Sequence, residues 1–204
     1  MVKSIVKDKK GNPEIPSDLI RDVIDGEPFY YKGYRDVLNK TKTIEEIMGC
    51  STLQALIVMY LQHELMMKLG IDEYHIFSNE TGLQFSKKVR YGLDLAVFDI
   101  ATLPFENIDE HYANVPPVLV VEVDVKVDTK HLSEEEFVRL KTKSLLKHGA
   151  GKVIWITSKN KQVLIAEKDK EWIEQSWYEP FELLNGIHAN PGDYLRKKGV
   201  PAAQ

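Results

Sequence analysis

The stretch from Val118 to Lys126, Val-Leu-Val-Val-Glu-Val-Asp-Val-Lys, restricts what this chain can fold into more than any other part of it. Its apolar residues call for burial in an extended segment, and its charges, Glu122, Asp124 and Lys126, fall on alternate positions. Residues two apart in a strand share a face, so two carboxylates and an ammonium point to one side. Such a strand is either a sheet edge turned to water or the floor of a metal site. The rest of the chain has to separate the two.

Residues 1–16 are polar and lysine-rich, interrupted by Gly11 and Pro13, and read as a mobile lead-in. Ser17 caps a short helix through Ile24 that stops at Asp25-Gly26, and Phe29-Tyr30-Tyr31 suggests a strand. A long helix is expected from Ser51, a good N-cap, to Gly70. At about 100° per residue, Leu53, Leu56, Ile57, Tyr60, Leu61 and Met67 share one side, with Glu64 in the middle of the arc. A carboxylate aimed at a core needs a partner, a proton or a metal, unless it snorkels out near the helix end.

Tyr74–Phe77 and Leu83–Val89 read as paired strands joined through Asn79-Glu80-Thr81-Gly82, followed by the apolar run Leu93–Asp99 with Asp94 near its start. After the polar connection from Pro104 to Pro117 and the Val118 stretch, Ser133-Glu-Glu-Glu136 has the form of a capping box. It predicts a helix over Glu134–His148 with a stop at Gly149, and Lys141 lies near the centre of its apolar arc. Lys152–Thr157, Gln162–Glu167 and Glu171–Trp177 read as successive antiparallel strands, whereas Val118–Thr157 reads as a strand, helix, strand crossover. The expectation is a mixed α/β chain with one domain over residues 17–187 and a C-terminal tail over 188–204, the Gly- and Pro-punctuated segment after Pro180 wrapping the surface.

Composition agrees with one domain: 204 residues, 43% apolar and 28% charged, suffice for a sizeable core. The formal charge of -4 neither favours nor excludes a nucleic-acid partner. Cys50 is the sole cysteine, so no intrachain disulfide forms and a reducing, cytoplasmic setting is expected. The most apolar helix candidate, Leu53–Leu69, is broken by Gln62, His63, Glu64 and Lys68, so no membrane span is expected.

Gly-rich phosphate loops, G-x-S-x-G and H-E-x-x-H are missing, and the six histidines are scattered. Glu64, Asp94, Glu122, Asp124, Lys126 and Lys141 remain as candidates, all of them oxygen ligands or cations. Hard oxygen ligands in small number suit Mg²⁺, or Mn²⁺ in its place, and a nearby lysine stabilises charge on a phosphoryl group.

The order Leu93-Asp94, then Glu122 or Asp124 with Lys126, resembles the motif of the PD-(D/E)XK nuclease superfamily. The succession around it, "LDLAVFD", "PPVLVVEV", a lysine helix ending "KHGAGK" and then "VIWI", resembles a restriction-endonuclease-like family abundant in cyanobacteria. The resemblance implies a restriction-endonuclease-like fold, a central mixed β-sheet flanked by helices. It implies Asp94 and Glu122 as metal ligands, and Lys141, eight residues before Gly149, as a lysine migrated from strand to helix. Leu93 stands where the family has proline, Asp124-Val-Lys126 replaces its Ser-Pro-Ser segment, and the histidine common in its first helix is missing. Two lysines therefore remain, Lys141 preferred for its place in the apolar arc and Lys126 as the fallback.

The function expected is Mg²⁺-dependent hydrolysis of DNA phosphodiester bonds, with Asp124 and Glu64 supplementing the acidic cluster and Lys141 facing the scissile phosphate. A homodimer suits two-strand cutting. The alternatives are an inactive nuclease fold serving as a binding module, and a set of structural ion pairs in a domain that acts through another surface.

Overall fold

A computed structural model describes residues 15–203; nearly all of the expected lead-in lies outside the described residues. Ser17–Leu19 makes one 3-10 turn, and Ile20–Ile24 is a strand, β1, where a helix was expected. Asp25-Gly26 is a two-residue hairpin turn with φ 50° and 88° rather than a helix stop, and it returns the chain into β2 (Glu27–Tyr30). Such turns require left-handed backbone, and the β-branched Ile20, Val23 and Ile24 favour the strand. Two short helices follow, α1 (Tyr34–Leu38) and α2 (Ile44–Met48), before the long α3 (Thr52–Met66).

Ser51 caps α3 by accepting from the Gln54 N–H, as its sequence position predicts. The buried stripe, however, is Gln54, Ile57, Leu61 and Leu65, rotated from the expected arc, and Met67 is exposed. The helix is apolar almost all round, so a wheel cannot single out one face.

β3 (Tyr74–Ser86) is one continuous strand, paired along its length with β4 (Val89–Asp99). The expected turn at Asn79–Gly82 is a bulge: Ser78 pairs with Leu95 and Thr81 with Leu93, while Asn79 and Glu80 take φ 72° and 55°. β5 (Leu119–Val123), α4 (Glu134–Lys147) and β6 (Lys152–Thr157) form the expected parallel crossover. Ser133 and Glu136 close the capping box of α4, and Gly149 takes φ 98° beyond its end. β7 (Gln162–Glu167) and β8 (Ile173–Ser176) complete an eight-stranded mixed sheet in the order β2-β1-β4-β5-β6-β7-β8, with β3 on β4.

One face of the sheet packs on α4 through Val120, Val153, Phe137 and Leu145, the other on α3 through Val121, Ile154, Ile57 and Leu61. The segment after Pro180 does not simply wrap the surface. β9 (Phe181–Leu184), β10 (Ile187–Ala189) and α5 (Pro191–Lys197) bury Leu183, Ile187 and Leu195 in the α3-side core, and Tyr194 stacks on Tyr60 at 4.2 Å.

Candidate functional site

β4 has two edges, and β3 takes one of them along its whole length. β5 and β1 must therefore share the other: β5 pairs at Leu95–Val97 and β1 at Arg90. The β4–β5 ladder ends at Leu95–Val121, so Asp94 and Glu122 would be the next opposed pair, and there the strands part. The Val123 N–H donates to Asp94 Oδ2 (2.9 Å) instead of to backbone, and the Gly92 N–H donates to Asp22 Oδ1 (3.1 Å) across the same gap. Side-chain carboxylates thus replace ladder bonds at the fork, which satisfies buried N–H groups and fixes the carboxylates together.

Two bulges turn further charges into this gap. On β1, Ile20 pairs with Tyr30 and Asp22 with Phe29, so Arg21 is the extra residue, and consecutive Arg21 and Asp22 are both buried. On β3 the bulge swings Glu80 inward, its Oε2 accepting from the Tyr31 hydroxyl (2.8 Å). Bulges of this kind re-aim side chains, and the left-handed Glu80 costs on the order of 1 kcal/mol.

The result is a cluster of three cations and four carboxylates. Arg21 Nη2 stands 2.9 Å from Asp94 Oδ1 and 3.5 Å from Glu122 Oε2, bridging the two. Its guanidinium also reaches Asp22 (3.6 Å) and Glu80 (3.5 Å). Lys141 Nζ, fully buried, contacts Asp22 at 3.1 Å and Glu122 Oε1 at 2.9 Å and donates to the Gly92 carbonyl (3.2 Å). Lys126 Nζ lies 3.0 Å from Asp94 and 3.3 Å from Glu80. Gln54 Nε2 completes the set by donating to Asp94 Oδ2 (3.0 Å).

Burial pushes the Glu122 carboxyl up to about 7, against the opposing pull of Lys141 and Arg21. Burial works the same way on Asp94, but Arg21, Lys126 and the Val123 N–H outweigh it and its pKa is lowered. The guanidinium of Arg21 loses solvation, yet four carboxylates hold its pKa above the ordinary arginine value.

The cluster opens on one side into a cleft of about 880 Å³ between α3 and the β3 bulge. Asp94, Glu80, Lys126 and Gln54 line it together with Met48, Met59 and Tyr112. The Tyr112 ring packs against Gly82, where an added Cβ would clash with it. Lys141 and Glu122, with side chains 0% exposed, form the closed rear wall.

Of the six residues singled out from sequence, Asp94, Glu122, Lys126 and Lys141 converge. Glu64 does not: it lies toward the far end of α3, half-buried, paired with Lys68 at 2.6 Å. Asp124 also turns away, because β5 ends at Val123 and the left-handed Asp124 (φ 58°) accepts from the Ser158 N–H and hydroxyl, both at 2.7 Å. Nor does Lys141 face the open cleft; the lysine that does is Lys126. Arg21, Asp22, Gln54 and Glu80 escape sequence reasoning. The nearest signal was an arginine and an aspartate side by side within an otherwise apolar strand.

The chemistry of the donors suits a hard divalent ion. Asp94 and Glu122 face one cation between them, and Glu122 Oε1, although 2.9 Å from the Lys141 ammonium, is buried without a hydrogen bond. The side chains as they stand leave that position to Arg21. Among the described residues no group of three or more acidic, histidine or cysteine side chains is disposed to hold a metal.

No family model and no curated sequence matches the chain. Among solved structures, it is similar to a protein from Anabaena variabilis described as a "putative nuclease belonging to DUF820", with a TM-score of 0.62 and 13% identity over 92% of this chain and 93% of that one. At that identity the likeness is one of architecture, and the chain has the expected mixed α/β fold, a central mixed β-sheet flanked by helices, in common with that protein.

Proposed function

We propose that the chain is a metal-dependent phosphodiester hydrolase acting on DNA, with Mg²⁺ or Mn²⁺ held between Asp94 and Glu122. The observation that carries this reading is the convergence of these two carboxylates, from adjacent strands at the fork, on a single cation position beside an open cleft. A bound divalent ion would supply Lewis acidity toward a phosphoryl oxygen. Lys126, 15% exposed at the cleft, faces the scissile phosphate, while Lys141 holds Glu122 from behind. Gln54 and the Val123 N–H fix the rotamer of Asp94. Burying the five charges of Arg21, Asp22, Asp94, Glu122 and Lys141 costs several kcal/mol per ion before pairing, and apolar residues of similar size are often at least as stabilising, so function is the simpler account of their presence.

The second reading, an inactive fold that serves as a binding module, draws on one observation: Arg21 already neutralises the position between Asp94 and Glu122. Nicking of supercoiled DNA in Mg²⁺ and Mn²⁺, beside Asp94→Ala and Lys126→Met, separates the two. Cleavage by the unaltered protein that both substitutions abolish supports the hydrolase. Folded protein with no metal-dependent nicking leaves the binding module.

A further inference from the structure

The cation between Asp94 and Glu122 is a side chain of the protein, that of Arg21. Arg21 occupies the extra position of the β1 bulge, where the ladder does not dictate its direction, and its side chain is 1% exposed. Four carboxylates surround it, yet its Nε has no hydrogen bond and its 3.5 Å approach to Glu122 is long for a charge-assisted contact. The guanidinium bridges the site without saturating it. Arg21 reaches Glu122 only through Oε2; Oε1 faces the Lys141 ammonium at 2.9 Å without a well-aligned hydrogen bond, so the arginine leaves one oxygen of Glu122 untouched.

We propose that Arg21 is a built-in occupant of the cation position, and that a divalent ion enters it only by displacing the guanidinium. Resting on the metal-dependent reading above, this makes the ion-free protein a folded state in which three cations face four carboxylates, rather than one with a repelling acidic hole. Glu80, 3.5 Å from Arg21 Nε and on the cleft side, is the carboxylate nearest the exit and receives the displaced guanidinium. An ion must compete with an intramolecular cation, so its apparent affinity is lowered by the cost of moving that cation.

The test is Mn²⁺ titration of the full chain by calorimetry and by the loss of the free-ion paramagnetic signal, for the unaltered protein, Arg21→Gln and Arg21→Gln/Asp94→Asn. Arg21→Gln is expected to bind one Mn²⁺ at least tenfold more tightly than the unaltered protein, and the added Asp94→Asn to remove the gain. Its thermal midpoint should rise with Mn²⁺ more than that of the unaltered protein, up to the limit of folding only when the ion is present. Equal or weaker Mn²⁺ binding by Arg21→Gln overturns the proposal. Should that variant stay unfolded with and without the ion, Arg21→Lys decides: its ammonium ends one bond short of the Nη2 atom that meets both carboxylates, so tighter binding than the unaltered protein supports the displacement and equal or weaker binding refutes it. Failure of the hydrolase reading looks different: Mn²⁺ binds with the expected ranking, but none of the proteins nicks DNA.

Discussion

Replacing Glu122 by glutamine removes a carboxyl whose pKa burial raises from 4.5 to about 7. In the folded protein Glu122 keeps its proton until near neutrality; in the unfolded chain it gives it up near the ordinary value. Between those limits the folded state binds more protons than the unfolded one, so stability must fall as pH rises. The contribution is fully present below the unfolded value and gone once pH has passed the folded one. Each pH unit inside the window is worth about 1.4 kcal/mol, so the window amounts to something on the order of 3 kcal/mol. Glutamine has no proton to lose, and the remaining titrating groups are common to both proteins. Urea unfolding of the two between about pH 5 and about pH 8 should show the unaltered protein losing stability relative to Glu122→Gln by on the order of 3 kcal/mol. A difference that stays level across that range, or that moves in favour of the unaltered protein as pH rises, would refute the reasoning. In that case Lys141 and Arg21 would outweigh burial at Glu122.

Three further outcomes follow from the same geometry. Lys141→Met leaves Asp22 and Glu122 without their buried ammonium and should destabilise by about 3–5 kcal/mol in chemical denaturation. Lys126→Met, at the partly open cleft, should cost clearly less. Asp124→Ala should leave metal binding unchanged while costing about 1–3 kcal/mol, because it strands the Ser158 N–H and hydroxyl; a loss of Mn²⁺ affinity would return Asp124 to the site.

Much of the architecture is legible because local signals and long-range packing agree. The Ser133 capping box and Gly149 delimit α4, and the apolar spacing of that helix leads directly to Lys141. Asp94 and Glu122 stand out as carboxylates in apolar runs. What escapes does so for backbone reasons. The Asn79–Gly82 run carries turn chemistry and spends it on a bulge inside a strand, which hides Glu80. The β1 bulge breaks strict alternation, so Arg21 and Asp22 do not look inward on any simple strand template. Gln54 is lost because α3 is apolar on nearly every side, and Asp124 misleads because the strand that would have aimed it stops one residue earlier.

The Lys141–Asp22 pair spans 119 residues of sequence. During synthesis, Arg21 and Asp22 leave the ribosome long before α4 exists, and the carboxylates at the fork also precede their rear ammonium. The first hairpin meets β4 at a single ladder pair, Val23 with Arg90, and is held besides by these charges and by the buried Ile24 and Phe29, Phe29 packing on Phe137 of α4 with ring centroids 5.0 Å apart. The ring that packs on Phe29 and the ammonium that faces Asp22 both belong to α4, so full docking of that hairpin requires a helix made more than a hundred residues later, and a chain that ends before Phe137 lacks both contacts.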